Sequence, residues 1–364
     1  MEISNHNHSA APARKSALSW LNIAFCAMVL LIHCASQAVT TLRVDSWQFA
    51  CVYLAQKLSF VSVYGFFFLS GVKLMLPRKR RMGVWEYYRG RLKSIFLPYI
   101  LSALVYYWWF GFHLGWLTPS LRGFLLGLLR GNLISPFYFI TALAQFVLLM
   151  PLLRYITEHV SPVFSLPLAL CVSWMSEMYC AQFLQLFFPD LSFPYGDRVF
   201  TTYLFYYLAG CYVGQQYDAF VAALRKNGRF VCAAFALTAA FNLFLTYRGK
   251  VLSLWSPLTQ MAHLTYLLAA IAFYFYLAVR IDRPLPRLLA RVDRASYLIY
   301  LYHALVLSAL DLLLAAAGVS SIGTQFALHL AVVYSVVPAL CILWQSGFSA
   351  AKSKLKTDRK GTKS

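Results

Sequence analysis

Four side chains that can accept or hold a proton lie within long apolar stretches of the sequence. They are two histidines, His33 and His303, and two carboxylates, Glu177 and Asp311. A histidine suits the removal of a proton from a hydroxyl, because its ordinary pKa lies near neutrality. An imidazole among apolar helices can also serve only to hydrogen-bond a neighbouring helix. The four residues are therefore candidates for proton transfer, and their positions must decide between these roles.

A basic cluster precedes the apolar stretch that begins near residue 92. It contains Arg89, Arg91 and Lys93, and arginine binds phosphate groups through two parallel hydrogen bonds. Asn22 and His33 are 11 residues apart, so on a helix they share one face and differ in depth by roughly 16 Å. This spacing predicts a polar shaft with a basic inner mouth and an outer chamber lined by histidines and carboxylates.

His303 and Asp311 are predicted to face that same shaft. They are eight residues apart, which separates them by about 80° around a helix. Glu177 falls in the same outer half of the membrane as His33 when depth is counted along the helices. His263 and His329 fall there as well, and we interpret them as structural residues between packed helices.

The composition indicates that membrane-spanning helices position these groups. Hydrophobic residues make up 60% of the 364 residues, charged residues make up 12%, and the mean hydropathy is +0.63. So few charges could not cover the surface of a soluble enzyme, and so much apolar surface excludes a disordered chain. The net charge of +20 would suggest a nucleic-acid partner in a soluble protein. Here the basic residues lie between apolar stretches, so we interpret them as topology signals and expect no nucleic-acid partner.

The sequence predicts an all-α, polytopic membrane protein with about ten transmembrane helices. Each predicted span is near the ~20 residues that cross a bilayer. The shorter segments 46–57 and 119–129 are amphipathic, and we expect them to lie along the membrane interface. The predicted spans are 17–36, 58–77, 92–111, 134–156, 161–180, 198–216, 229–246, 258–280, 295–316 and 323–346.

The distribution of basic residues predicts that both termini are cytoplasmic. With the N-terminus inside, 25 of the 32 lysines and arginines fall on inner segments and 7 on outer ones, which follows the positive-inside rule. The predicted organisation is a cytoplasmic tail at 1–16, a transmembrane domain at 17–346 and a basic cytoplasmic tail at 347–364. The eight cysteines show no metal-ligand spacing, and we predict no metal site. The sequence makes no prediction of oligomeric state.

Six segments in chain order resemble motifs of the acyltransferase 3 family, the bacterial integral-membrane O-acyltransferases of surface glycans. The resemblance covers about residues 17–346, and its closest match is Ser296–His303, which reads SYLIYLYH. Two positions depart from the family pattern, because Asn22 and Ser94 stand where basic residues are expected. The other five segments are Leu21–His33, Phe66–Gly71, Tyr88–Tyr99, Phe137–Pro151 and Tyr207–Gly214.

The resemblance implies transfer of an acyl group, most simply acetyl, from cytoplasmic acyl-CoA to a hydroxyl of a surface glycan or lipid-linked glycan. Acetyl-CoA would then be a substrate, no tightly bound cofactor is expected, and the location would be the lipid of the bacterial inner (plasma) membrane. His33 would be the general base or a transient acyl carrier. Depth along the helices, rather than the resemblance, gives Asp311 or Glu177 as the residue that would orient His33. His303 is the further catalytic candidate, and Arg91, Arg89, Asn22 and Lys93 are the candidates for holding the donor.

Two other functions are compatible with an intramembrane polar chamber. One is a transporter or flippase for a lipid-linked glycan, although the sequence shows no inverted repeat of the transporter kind. The other is a noncatalytic partner in glycan assembly, which the departures at Asn22 and Ser94 favour.

Overall fold

The computed structural model describes residues 16–188, 194–252, 257–281 and 283–361. This part of the chain forms helices and turns and contains no strand, so the prediction of an all-α polytopic membrane protein is confirmed. Its α-helices in chain order are α1 Ser16–Thr41, α2 Trp47–Ser59, α3 Val61–Met75, α4 Pro77–Arg80, α5 Val84–Arg91, α6 Leu97–Trp108, α7 Leu121–Arg130, α8 Tyr138–Leu148, α9 Met150–His159, α10 Pro162–Phe187, α11 Leu204–Gln215, α12 Tyr217–Lys226, α13 Gly228–Val251, α14 Pro257–Ile281, α15 Arg287–Ala316 and α16 Ile322–Gly361.

Within the described residues, eight helices are long and apolar enough to cross a membrane. A ninth crossing results if α7 and Ser135–Leu148, which are bent by 60°, count as one span. The eight are Ser16–Thr41, Trp47–Met75, Val84–His113, Pro162–Phe187, Gly228–Val251, Pro257–Ile281, Arg287–Ala316 and Ile322–Gly347.

The predicted spans 134–156 and 198–216 correspond to shorter helices. The first is divided between α8 and α9 at Leu149, just ahead of Pro151, which has no N–H to donate to a helix. The second becomes α-helical only at Leu204, after two 3₁₀ turns. Gln145 binds the non-helical backbone there, donating to the carbonyl of Arg198 at 2.6 Å and accepting from the Phe200 N–H at 3.1 Å. Those bonds satisfy backbone groups that a helix would otherwise satisfy internally.

The amphipathic segment 46–57 is not a separate interfacial helix. It forms α2, which runs into α3 with a break only at Phe60, so that the two make one span. The polar side of α2 is used in packing, because buried Gln56 donates from Nε2 to the carbonyl of Ile32 on α1 at 3.0 Å. The interfacial prediction for this segment is therefore wrong.

The predicted N-terminal tail lies almost wholly outside the described residues, whereas most of the predicted C-terminal tail belongs to α16. Residues 1–15 and 362–364 are not described, and α1 begins at Ser16. α16 contains the candidate membrane span Ile322–Gly347, and the helix continues to Gly361. The cytoplasmic orientation of the two termini stays a prediction.

Close packing of α3 on α11 fixes the rotation of α3. A Cβ atom on Gly71 would overlap the carbonyl oxygen of Tyr207, and one on Gly210 or Gly214 would overlap the backbone of α3. Three glycines therefore let the two helix backbones touch, as small residues do at membrane helix interfaces. With that face against α11, the opposite side of α3 faces α1, where the rings of Phe66 and Phe25 are in contact.

Candidate active site

A cavity of about 470 Å³ lies among α1, α2, α3, α8, α15 and the π-helical turn Leu92–Phe96. α1 and the α2–α3 span run in opposite directions, because only the short segment between Thr41 and Trp47 joins them. The cavity therefore has an Asn22 end, near the start of α1 and the end of α3, and a His33 end. Its polar lining residues are Asn22, His33, Ser36, Gln56, Ser70, Lys73, Arg91, Ser94, Ser135, Tyr138, Ser296, Tyr297 and Tyr300.

Helical periodicity explains how two of the walls are built. On α1 the lining residues fall on one face, since steps of three, four or seven return to the same side of a helix. The α2–α3 span does the same over a longer distance. The lining residues are Asn22, Val29, Ile32, His33 and Ser36 on α1, and Gln56, Phe60, Val63, Phe66, Leu69, Ser70 and Lys73 on the α2–α3 span.

His33 and His303 face each other at the far end from Asn22. Their ring centroids are 4.9 Å apart and the rings are tilted by 47°. His33 lines the cavity and is partly exposed to it, whereas His303 is fully buried behind it. His303 Nδ1 lies 2.7 Å from the carbonyl oxygen of Tyr300, which makes Nδ1 the donor, and its Nε2 has no hydrogen-bond partner. The free acceptor of His303 is thus left beside His33.

Two tyrosines hold the α15 wall of the cavity in place. Tyr297 donates to the carbonyl of Ile95 at 2.9 Å, inside the π-helical turn, and Tyr300 donates to the carbonyl of Pro136. Each bond satisfies a backbone carbonyl outside regular α-helix. Such carbonyls are rarely left without a hydrogen bond inside a membrane. The SYLIYLYH segment therefore supplies both the buried histidine and the tyrosines that fix its helix.

Asn22 joins α1 to α15 at the other end of the cavity. Its Nδ2 donates to Asp293 Oδ1 and to Ser296 Oγ, both at 2.8 Å, and all three side chains are buried or partly buried. Ser296 in turn donates to the carbonyl of Asp293 at 2.9 Å. Both hydrogen bonds that Asn22 Nδ2 donates therefore connect α1 to α15.

Of the three basic residues predicted at the mouth, the structure places one at the cavity. Arg91 lines it, with its guanidinium 5.0 Å from the ring centre of Tyr87. Arg89 and Lys93 are exposed and do not line it. The π-helical turn that follows Arg91 adds a residue to the helical turn and brings Ser94 to the cavity, and such turns are common at functional sites.

Asp311 does not reach the cavity, so the prediction that it shares one with His303 is wrong. Its Oδ1 accepts from His329 Nε2 on α16 at 2.8 Å. The Asp311 side chain is 53% exposed and that of His329 is 4% exposed. His303 and Asp311 are about 80° apart around α15. This angle is enough for His303 to face α1 while Asp311 faces α16.

Glu177 also lies apart from His33, and its predicted place in the chamber is wrong. It is exposed on α10, and its Oε1 accepts from the hydroxyl of Tyr64 at 3.2 Å. Tyr64 precedes the glycine-packed part of α3, and its ring lies 4.7 Å from that of Tyr206 on α11. Glu177 thus belongs to the α3–α10–α11 side of the bundle rather than to the cavity.

Several cavity residues were not among the predicted site residues. Lys73 is the clearest, because a lysine within the apolar run Phe66–Met75 is itself an unusual signal. Ser36 and Gln56 lie at the His33 end, but their types are too common in helices to be singled out by sequence. Among the described residues, no group of three histidine, cysteine or acidic side chains is placed to hold a metal ion.

The cavity therefore combines three chemical capacities in one space. His33 can accept a proton, Lys73 and Arg91 can attract an anion, and hydroxyl and amide groups can donate hydrogen bonds to a developing negative charge. A reaction between an anionic donor and a hydroxyl uses all three.

Comparison with known families agrees with this chemistry. The sequence model of the acyltransferase 3 family, described as "Acyltransferase domain", matches residues 16–344, nearly the whole chain. The chain belongs to the acyltransferase 3 family, and it is a multi-pass membrane acyltransferase. Searches of curated proteins and of solved structures found no match.

Proposed function

We propose that the protein is an O-acyltransferase of the bacterial inner membrane that moves an acetyl group from cytoplasmic acetyl-CoA to a hydroxyl of a surface glycan. Lipopolysaccharide O-antigen, capsule and exopolysaccharide, free or lipid-linked, are the acceptor classes. The observation that carries the proposal is that one cavity holds His33 at one end and the cations Lys73 and Arg91 at the other. A proton acceptor and an anion site at opposite ends suit a donor whose phosphates are remote from its thioester.

The chemistry at the His33 end is an attack of the acceptor hydroxyl on the thioester carbonyl. His33 removes the hydroxyl proton as the new carbon–oxygen bond forms, and the carbonyl oxygen gains the negative charge. The C–S bond then breaks, and the CoA thiolate takes up the proton that His33 holds. Gln56, through the Nε2 proton that it does not donate to Ile32, and Tyr138, through its hydroxyl, line the cavity and are the donors proposed for the oxyanion.

His303 acts on this step through His33. Its Nδ1–H is committed to the Tyr300 carbonyl, so its Nε2 is an acceptor in the neutral ring. An N–H of His33 directed at that nitrogen would fix the His33 ring and leave its other nitrogen free to take the proton. His303 is therefore a positioning residue in this proposal.

Mass analysis of the surface glycan tests the reaction class and the acceptor together. Glycan from cells lacking the gene is compared with glycan from cells complemented with the wild-type or the His33→Ala protein. We expect the deletion and the His33→Ala cells to lack one acetyl mass per modified residue while the polymer itself is still displayed. Loss of the whole polymer from the surface would instead favour transport of a lipid-linked glycan. An unchanged acetyl content in the deletion would reject the proposal.

A further inference from the structure

The Asn22 end of the cavity carries an excess of positive charge toward the lumen. Of the described residues that line the cavity, Lys73 and Arg91 are cationic and none is acidic. Asp293 accepts from Asn22 in the same wall and is buried, with 6% of the residue exposed. Two cationic side chains in the lining, with no acidic side chain among the described lining residues, make this end attractive to an anion with more than one charge.

Lys73 lines the cavity from the end of α3. It lies in the last turn of α3, on the face that carries Phe66 and Ser70 and opposite the glycine contact with α11. Side chains on a helix lean toward its N-terminus, and the N-terminus of the α2–α3 span is at the His33 end. The Cα–Cβ bond of Lys73 is therefore tilted from the Asn22 end of the cavity toward His33.

From these contacts we propose that Lys73, together with Arg91, binds the diphosphate of the acyl-CoA donor, and that Asn22 holds α1 to α15 instead of binding the donor. The inference rests on the proposed function and specifies how the donor is held. Arginine and lysine divide the task in a common way, since the guanidinium binds two phosphate oxygens in a fixed geometry and the ammonium acts as a mobile point charge.

The length of the donor supports this placement. About thirteen bonds separate the nearer phosphorus of CoA from its sulfur. An extended chain spans about 3.5 Å for every three bonds, as in a polypeptide, so the extended distance between these two atoms is about 15 Å. The rise from Asn22 to His33 along α1 is roughly 16 Å. A diphosphate held at the Asn22 end therefore brings the thioester to His33 with the pantetheine arm extended along the cavity.

Binding of unreactive CoA to the protein in lipid nanodiscs tests the inference without relying on acyl transfer. We expect Lys73→Met to weaken binding of CoA and of dephospho-CoA by roughly 10- to 100-fold, as loss of a hydrogen-bonded charge would. Lys73→Arg should stay within about threefold of wild type, because it keeps the charge. Lys226→Met removes an exposed lysine elsewhere and should leave binding unchanged.

Pantetheine, which lacks phosphates, separates charge recognition from a general disturbance of the cavity. We expect Lys73→Met to bind pantetheine as wild type does. Equal CoA affinity in Lys73→Met and wild type, or equal losses for CoA and pantetheine, would overturn the role of Lys73. A wild-type protein that does not bind CoA at all would overturn the proposed donor, and with it this inference.

Discussion

Two residues of α15, His303 and Asp311, each pair with a histidine of another helix, but the surroundings of the two pairs differ. His303 faces His33 on α1, and His33 lines the cavity. Asp311 accepts a hydrogen bond from His329 on α16, and neither of these two residues lines the cavity. Both pairs put ionisable groups inside long apolar helices, so residue type and depth do not distinguish them. Only the first pair has a member, His33, in the cavity that Lys73 and Arg91 also line. An ionisable residue within a membrane helix is thus a functional candidate only once its neighbours are known.

The largest expected effect separates the two pairs directly. His33→Ala removes the proposed general base, so we expect kcat for the proposed acetyl transfer to fall by roughly 10²- to 10⁴-fold. The matched variant His329→Ala should keep kcat within about threefold, because His329 does not line the cavity. Kinetics of the purified proteins with acetyl-CoA and the glycan acceptor measure both. Equal losses in the two variants would remove the distinction between the pairs.

A smaller effect is expected at His303, which acts through His33. His303→Asn can keep the bond to the Tyr300 carbonyl but has no group at the Nε2 position, so we expect kcat to fall roughly 10- to 100-fold, as misplacement of a reacting group does.

The KM for acetyl-CoA should stay constant in this variant, since His303 is remote from Lys73 and Arg91. His303→Gln, which places its amide near the Nε2 position, should retain more activity than His303→Asn. A rise in KM with unchanged kcat would contradict a positioning role.

The smallest effect is expected at the outward-facing pair. Asp311→Ala removes the acceptor for His329 Nε2 and should lower the free energy of unfolding by about 1 kcal/mol, the net value of a hydrogen bond. The same variant should keep kcat within about threefold. Thermal unfolding in detergent and acetyl-transfer kinetics measure the two quantities. A loss of kcat above tenfold would restore Asp311 to the candidate catalytic residues.

The fold class and part of the cavity could be predicted because they depend on short-range patterns. Apolar length identifies membrane helices, and an 11-residue spacing on one helix put Asn22 and His33 on a common face. The SYLIYLYH segment, through its family resemblance, identified His303. These inferences need no knowledge of how helices are arranged around one another.

The remaining site residues depended on helix rotation and on breaks in the helices. Asp311 was misplaced because the sequence does not show which neighbour each side of α15 faces. Glu177 was misplaced because depth alone does not define an angular position in the bundle. Lys73 was missed as a cavity residue because it was counted with the topology signals. The glycine contact between α3 and α11 turns it inward, and that contact joins residues far apart in sequence.

Acetyl transfer across a sealed vesicle tests the central claim most directly. The purified protein is reconstituted in one orientation, with isotope-labelled acetyl-CoA on the side of the α1 N-terminus and the glycan acceptor on the other side. The account predicts label on the glycan with wild-type protein and none above background with His33→Ala. Labelling by His33→Ala at the wild-type rate would contradict it.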